Sequence, residues 1–266
     1  MTAIAIRGVS HVFETRGGSL PALEEIDLEI QENEFVTLVG RSGCGKSTLL
    51  RIVAGLLSPT SGEVRIGGEP VRKPRRDVSF MFQRAALLPW RSVLDNVMLP
   101  VELLRLDRRA YRRRAEELLA LTGLDGFEDR RPDELSGGMQ QRVSLCRALV
   151  HDPSVLLMDE PFAALDALTR EELSLELQRI WGEDRKTIVF VTHSIQEATL
   201  LADRIVVMSP RPGRVARVLS VSAPRPRSLG LTEHRAELDR VAGELHELLL
   251  GRPPGDRVPE RASATA

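Results

Sequence analysis

The chain has 266 residues, 42% of them hydrophobic, and a formal net charge of -1. That length buries a substantial core as one large domain or two modest ones, and no stretch approaches the roughly 20 apolar residues of a membrane span. The near-neutral balance excludes a whole-molecule attraction to nucleic acid or acidic lipid, and two cysteines, Cys44 and Cys146, are too few for a disulfide or metal framework.

From the N-terminus, Ile4, Ile6 and Val9 alternate like a strand. The start lacks the charged segment and apolar run of a secretory leader, so a cytoplasmic chain is expected. Residues 26–30 and 34–39 continue the strand pattern, the second run feeds a glycine-rich loop, and residues 46–57 read as a helix. Strands follow around 62–66 and 77–82. Residues 90–150 then read as mostly helical, with apolar periodicity over 93–104 and 108–121, separated from a further helix by the Gly- and Pro-containing stretch 122–132. Alternation of α and β resumes with strand 155–158, helix 170–181, strand 187–191, helix 195–201 and strand 204–208. Pro210, Pro212 and Gly213 make a turn before an outer strand at 215–221. Residues 231–250 form an amphipathic helix with Leu238, Val241, Leu245 and Leu248 in one stripe; packing on the domain is expected, with a dimer or regulatory contact as the alternative. Residues 252–266, with three prolines and no apolar pattern, are expected to be a disordered tail.

Gly40-Arg41-Ser42-Gly43-Cys44-Gly45-Lys46-Ser47 fits the pattern G-x-x-x-x-G-K-[ST] between a strand and a helix, the context a phosphate loop requires. The glycines let backbone amides turn toward phosphates, Lys46 reaches the β and γ groups, Ser47 offers a hydroxyl to Mg2+, and Thr48 is expected to hold the α-phosphate. Arg41, Ser42 and Cys44 fill the free positions of the loop. Cys44 needs no role there; the sharper alternative is a thiol activated by the helix N-terminus. Only Lys46, Lys73 and Lys186 are lysines against 34 arginines, which marks Lys46 as a place where a compact ammonium is needed.

Val155-Leu156-Leu157-Met158-Asp159-Glu160 reads as a buried strand ending in two acids, where a sheet edge presents carboxylates to a nucleotide. Asp159 is expected in the Mg2+ shell, and Glu160 as the base that orients and deprotonates an attacking water. Leu135-Ser136-Gly137-Gly138-Met139-Gln140-Gln141-Arg142 offers a hydroxyl, bare amides and a helix N-terminus, a second anion cradle. It serves either another ligand or the nucleotide of a second copy.

The Leu-Ser-Gly-Gly segment resembles the signature of ATP-binding cassette (ABC) ATPases, and with the other motifs the resemblance runs from Phe13 to about Pro226. It implies an α/β P-loop NTPase fold of the ABC type, with a RecA-like core, an antiparallel β-subdomain and a helical signature subdomain. The implied division is an ABC ATPase domain at 1–226 with a helical insert at about 84–150, then a helix at 227–251 and the tail. The resemblance also implies roles: Gln83 contacts metal and water, His193 touches the γ-phosphate, Asp166 belongs to a dimer-contact loop, and Phe13 stacks on the base unless it is a simple core residue. Ser136, Gly137 and Gly138 then face the γ-phosphate held by Lys46 of another copy, in a head-to-tail dimer with ATP and Mg2+. Two positions depart from the family: Ala163 stands where many members carry serine, and Phe13 brings no hydroxyl.

Residues 84–97 include Leu87, Leu88 and Trp90, costly to leave in water, so the loop folds into its own subdomain, makes a partner's groove, or both. In importers of the family the equivalent region receives a short cytoplasmic helix of the membrane-spanning subunit. The wording Leu87-Leu88-Pro89-Trp90, with Asp166-Ala167-Leu168-Thr169-Arg170, is similar to the nitrate, sulfonate, taurine and bicarbonate branch. What this implies is a peripheral ATPase at the cytoplasmic face of the inner membrane that energises an importer of such a small anion. Its partners would be permease subunits and, indirectly, a solute-binding protein, with no direct nucleic-acid contact. The alternative is a soluble cassette acting on nucleic acid or ribosomes, whose relatives usually carry two cassettes or a long coiled-coil insertion. Six arginines within 105–114 invite a lipid or nucleic-acid reading, but Glu102, Asp107, Glu116 and Glu117 are spaced to pair with them along a helix.

Overall fold

Two β-sheets close over the helix that follows the glycine-rich loop, in a computed structural model that describes residues 1–15, 17–228 and 234–250. The first sheet is antiparallel, in the order β2-β1-β4-β5, and comprises β1 (Thr2–Thr15), β2 (Gly18–Gln31), β4 (Ser61–Ile66) and the short β5 (Glu69–Pro70). Both arms of the β1–β2 hairpin run well beyond the expected segments. Register shifts between Ile6 and Val9, Val9 and His11, and His11 and Val12 explain why, since each breaks the two-residue alternation by which a strand is recognised.

The second sheet contains β3 (Phe35–Val39), β6 (Val78–Met81), β7 (Val155–Asp159), β8 (Thr187–Val191), β9 (Arg204–Met208) and β10 (Val215–Ser220), in the order β10-β9-β3-β8-β7-β6. All pairings are parallel except that of β10 with β9. Helices cover both faces, so β3, β7 and β8 are buried along their whole length and read as continuous apolar runs. Leu38 and Asp159 both pair with Val191, which brings the exits of β3, β7 and β8 to one edge. In open α/β sheets, that edge is where ligands bind.

Helix α1 (Lys46–Val53) stops short of the expected residue 57. Gly55 adopts φ +70 and packs so close to the Lys73 carbonyl that a Cβ would sit 2.5 Å from it, so the chain must turn there. The expected helix at 93–104 is two helices, α2 (Val93–Val97) and α3 (Leu99–Leu103), because Pro100 has no N–H to continue the ladder. With α4 (Arg108–Leu121) and α5 (Gly137–Leu149), they lie between β6 and β7 in sequence and share a core with Phe162, Leu173 and Phe190. The arginine-rich stretch is the salt-bridged face: Arg112 pairs with Glu116 at 2.8 Å, Arg113 with Glu117 at 2.7 Å and Arg108 with Asp95 at 2.5 Å.

Helices α6 (Ala167–Glu183) and α7 (Ile195–Leu201) complete the α/β alternation. In α8 (Arg235–Leu250), Val241 and Leu245 are buried against Ile205, Val207 and Leu219, with Leu238 and Leu248 packed beside them, so the apolar stripe docks on the domain. A helix start at 227 is not met: Arg227 and Ser228 are irregular, and the Arg227 guanidinium donates to the Ala202, Val221 and Ala223 carbonyls, which ties the chain down before α8; the other expected start, at 231, and the expected tail at 252–266 lie outside the described residues.

Candidate functional site

The loop from β3 to α1 is built to hold an anion. Gly43 and Gly45 take φ +78 and +99, and Gly45 caps α1 with no side-chain hydrogen bond, leaving first-turn amides free. The β1–β2 hairpin and the turn between β9 and β10 both press on this loop: a Cβ on Gly45 would lie 2.6 Å from Leu23 Cδ2, and one on Gly213 would lie 2.0 Å from the Cys44 carbonyl. Lys46 is buried at the loop's centre, where its ammonium donates to the Gly40 carbonyl at 2.8 Å and the Arg41 carbonyl at 3.3 Å. No carboxylate shares those bonds, so the charge is left for an incoming anion.

Ser47 Oγ donates to Asp159 Oδ1 at 2.7 Å. Burial pushes the Asp159 carboxyl above the usual range, opposed by the Ser47 hydrogen bond and by Arg51. A hydroxyl and a desolvated carboxylate suit a hard divalent cation, and no cluster of three or more His, Cys, Asp or Glu capable of holding an ion occurs among the described residues. One carboxylate plus ligand phosphates is how Mg2+ is ordinarily bound, so these residues fit it. Gln83 is exposed just beyond β6, and Thr48 is half-buried on α1.

Glu160 follows Asp159 with φ +47, a conformation rare outside glycine, and its N–H donates to the Val191 carbonyl at 3.0 Å. Its Oε2 is 3.6 Å from His193 Nδ1, and His193 is mostly exposed at the end of β8. Three strand exits therefore bring together an anion loop, a cation pair and an acid with a facing imidazole. Phe13 lies two residues beyond His11, the residue paired with Leu23, and itself pairs with Leu20. It is 39% exposed with His11 edge-on at 4.5 Å, which makes it an available aromatic face and not a core residue. Cys44, by contrast, is 1% exposed and packed in the core, which argues against the reactive-thiol alternative.

The second cradle stands apart. Ser136 caps α5 by accepting from Met139 N–H at 3.3 Å, and Asp166 caps α6 by accepting from Thr169 N–H at 3.0 Å. The Thr169 backbone and hydroxyl bonds hold the Asp166 carboxyl below its ordinary range. Both helix N-termini open on one cleft of about 480 Å³, which also touches Gly137 and Gly138, where an added Cβ on Gly138 would sit 2.8 Å from Thr169 Cγ2 and push that side chain aside. No residue of 40–48 lines that cleft.

Sequence reasoning missed three supports. Gln141 is buried and donates to the Pro161 carbonyl, tying α5 to the turn after Glu160. Arg211 donates to the Gly43 carbonyl at 3.2 Å, and Gly213 seals the loop from below. Only the Pro-Gly turn at 210–213 gave any signal, since a lone Gln or Arg has no periodicity to betray it.

In the loop at 84–97, buried Asn96 accepts from Leu88 N–H at 2.7 Å and donates to the Leu88 and Ser92 carbonyls. Leu87 packs on the adjoining core, whereas Trp90 is 70% exposed. The loop thus folds back on itself and still leaves apolar surface outside. Nearby, a groove of about 390 Å³ is lined by Phe80, Phe82, Leu99, Leu103, Arg147 and His151. No helix among the described residues is long and apolar enough to cross a membrane.

The family model described as ABC transporter matches residues 23–163. A taurine import ATP-binding protein of Burkholderia thailandensis is 44% identical to the chain, covering 94% of it and 96% of its own length. A bicarbonate transport ATP-binding protein of Synechocystis sp. is also 44% identical, over 84% and 80%. Among solved structures, a dimeric ATP-binding cassette in a post-hydrolysis state, bound to ADP and Pi, aligns with TM-score 0.73 at 35% identity, covering 82% of this chain and 98% of that one.

Proposed function

The chain belongs to the ABC transporter family, and from that premise we propose that it is the ATPase subunit of a small-anion importer, working as a head-to-tail dimer. ATP binding and hydrolysis come with the family. The observation that supports the dimer is the separation of the two cradles: the α5 N-terminus opens on a cleft with no phosphate-loop residue in its lining, which the phosphate loop of a second copy would complete. That a solved relative is dimeric and binds ADP and Pi supports the same reading.

In this account the amides of Gly40 to Gly45 and the Lys46 ammonium cradle the phosphates, Thr48 holds the α-phosphate, and Phe13 stacks on the base. Arg41, Ser42 and Cys44 contribute backbone. Ser47, Asp159 and Gln83 would hold Mg2+, which would supply positive charge to offset that of the phosphates. Glu160 accepts the proton of the attacking water, and His193 donates to the γ-phosphate. Ser136, Gly137, Gly138 and Asp166 of the other copy close the site. The working unit is residues 1–226 with the insert at about 84–150, with α8 (Arg235–Leu250) docked on it.

The groove that Ala86 of this loop helps to line is the proposed seat of a permease segment, which would make the chain peripheral at the cytoplasmic face of the membrane. Taurine, itself a sulfonate, and bicarbonate, named for two relatives, are both small solutes with one anionic group, so the proposed cargo is a small anion of that kind, delivered by a solute-binding protein. Affinity purification of the tagged chain from native membranes, with uptake of labelled taurine, nitrate and bicarbonate in a knockout, tests this. Co-purification of a polytopic membrane protein is expected; recovery on ribosomes or DNA would overturn it.

A further inference from the structure

Arg170 of α6 and Glu197 of α7 meet behind the catalytic edge, with Arg170 Nε 3.4 Å from Glu197 Oε1. Arg170 Nη2 donates to the carbonyl of Leu165 at 2.9 Å, the residue immediately before Asp166. The other Glu197 oxygen accepts from the Thr192 hydroxyl. That hydroxyl oxygen accepts in turn from Ser194 N–H at 3.0 Å, while Thr192 N–H donates to the Leu38 carbonyl at 3.1 Å. His193 is held between these two anchored residues. The chain of contacts therefore runs from the loop at Asp166, through a guanidinium and a carboxylate, to the backbone that aims His193.

Glu197 is 4% exposed and Thr192 2%, so their end of the link is desolvated, while the Arg170 side chain keeps 28% of its surface in water. Burial pushes the Glu197 carboxyl above its usual range, against the Thr192 hydrogen bond and the charges of Arg170 and His193, with the Glu160 carboxylate adding to the upward push. A buried ion pair is weak evidence for stability, because an apolar pair of similar volume often does as well. An apolar pair could not hold the Leu165 carbonyl and the Thr192 hydroxyl at the same time.

We propose that Arg170 and Glu197 are positioning residues that connect the Leu165–Asp166 loop to His193, so that contact of a second copy with Asp166 sets the aim of His193 at the γ-phosphate. The inference rests on the dimer proposed above and adds a route by which assembly switches on hydrolysis. It is tested in the full chain with Arg170→Met, Arg170→Lys, Glu197→Gln and the Arg170→Met/Glu197→Gln double variant. The readouts are equilibrium binding of a fluorescent ATP analogue, melting temperature, and turnover against ATP and protein concentration.

Arg170→Met and Glu197→Gln are expected to lower kcat about tenfold while KM and affinity stay within about twofold, the pattern of a misaimed group and not of lost ground-state binding. The double variant should be no worse than either single one, and Arg170→Lys should recover part of the rate. Turnover of Arg170→Met equal to wild type would overturn the link, as would kcat, affinity and melting temperature falling together. If wild-type turnover rises only in proportion to protein, the dimer has failed and the link falls with it. Turnover that rises more steeply, combined with an inert Arg170→Met, sinks the link alone.

Discussion

Ser47 Oγ and Asp159 Oδ1, 112 positions apart in sequence, are joined by a 2.7 Å hydrogen bond between the first turn of α1 and the end of β7. Two oxygens that would share one cation hold each other in register, and a desolvated carboxylate gains most from that cation. Asp159→Asn keeps an acceptor for Ser47 and so keeps the fold, but removes the charge. Turnover should fall by about two orders of magnitude or more, with nucleotide affinity no longer responding to Mg2+. A Mg2+ titration of binding and turnover checks this, and an unchanged response would remove Asp159 from the cation shell.

Glu160 occupies φ +47, where a non-glycine residue stores about 1–3 kcal/mol of strain. Glu160→Gly should therefore melt higher than the wild type, while both it and Glu160→Gln lose about 10²- to 10⁴-fold in turnover and still bind ATP. Glu160→Gln should also accumulate as an ATP-bound dimer on sizing chromatography. A Glu160→Gly protein that melts lower would show that the carboxylate's contacts outweigh the strain.

Lys186, buried beside the sheet, pairs with Asp184 at 2.9 Å and with Asp152, and Arg114 of α4 joins both carboxylates. The Lys186 hydrogen bond holds the Asp184 carboxyl below the usual carboxylate range. Because the folded-state value is depressed, this stabilisation is present above the unfolded value and is lost as pH falls through the lower folded one. Asp184 is about half exposed, so water screens it and Asp184→Asn should cost under about 1 kcal/mol at neutral pH. The variant's acid denaturation below about pH 4 should be shallower than wild type, as read by circular dichroism.

Cys44 and Cys146 are both buried, and burial pushes the Cys146 thiol up to about 12. Neither should react with iodoacetamide in the native protein, with or without ATP, and both should react once guanidinium unfolds it. Mass spectrometry of the labelled peptides settles it; rapid native labelling at Cys44, blocked by ATP, would restore the reactive-thiol alternative.

Periodicity made the strands at 187–191 and 204–208 and the helices at 108–121 and 195–201 legible to the residue, because each buries one regular face or lies wholly inside. The hairpin at its bulges and the early stop at Gly55 were harder, since each depends on a contact distant in sequence or on one backbone angle, whereas the break at Pro100 is local and was masked by the apolar periodicity that runs through it. The site divided in the same way. Gly40 to Thr48, Asp159 and Glu160 announced themselves by spacing, and Ser136 by its glycines. Gln141, Arg211 and the Arg170–Glu197 link did not, because their roles arise from where α5, α6 and α7 end against the sheet.

In the proposed dimer, one working site is built from two copies, the phosphate loop of one and Ser136 of the other. Lys46→Ala spoils the first half and Ser136→Arg the second, so each protein alone should be inactive. Mixed in equal amounts they should form hybrid dimers with one intact site, and ATPase activity should return to about a quarter of wild type. Activity of the mixture no greater than the sum of the two separate proteins would contradict the shared site.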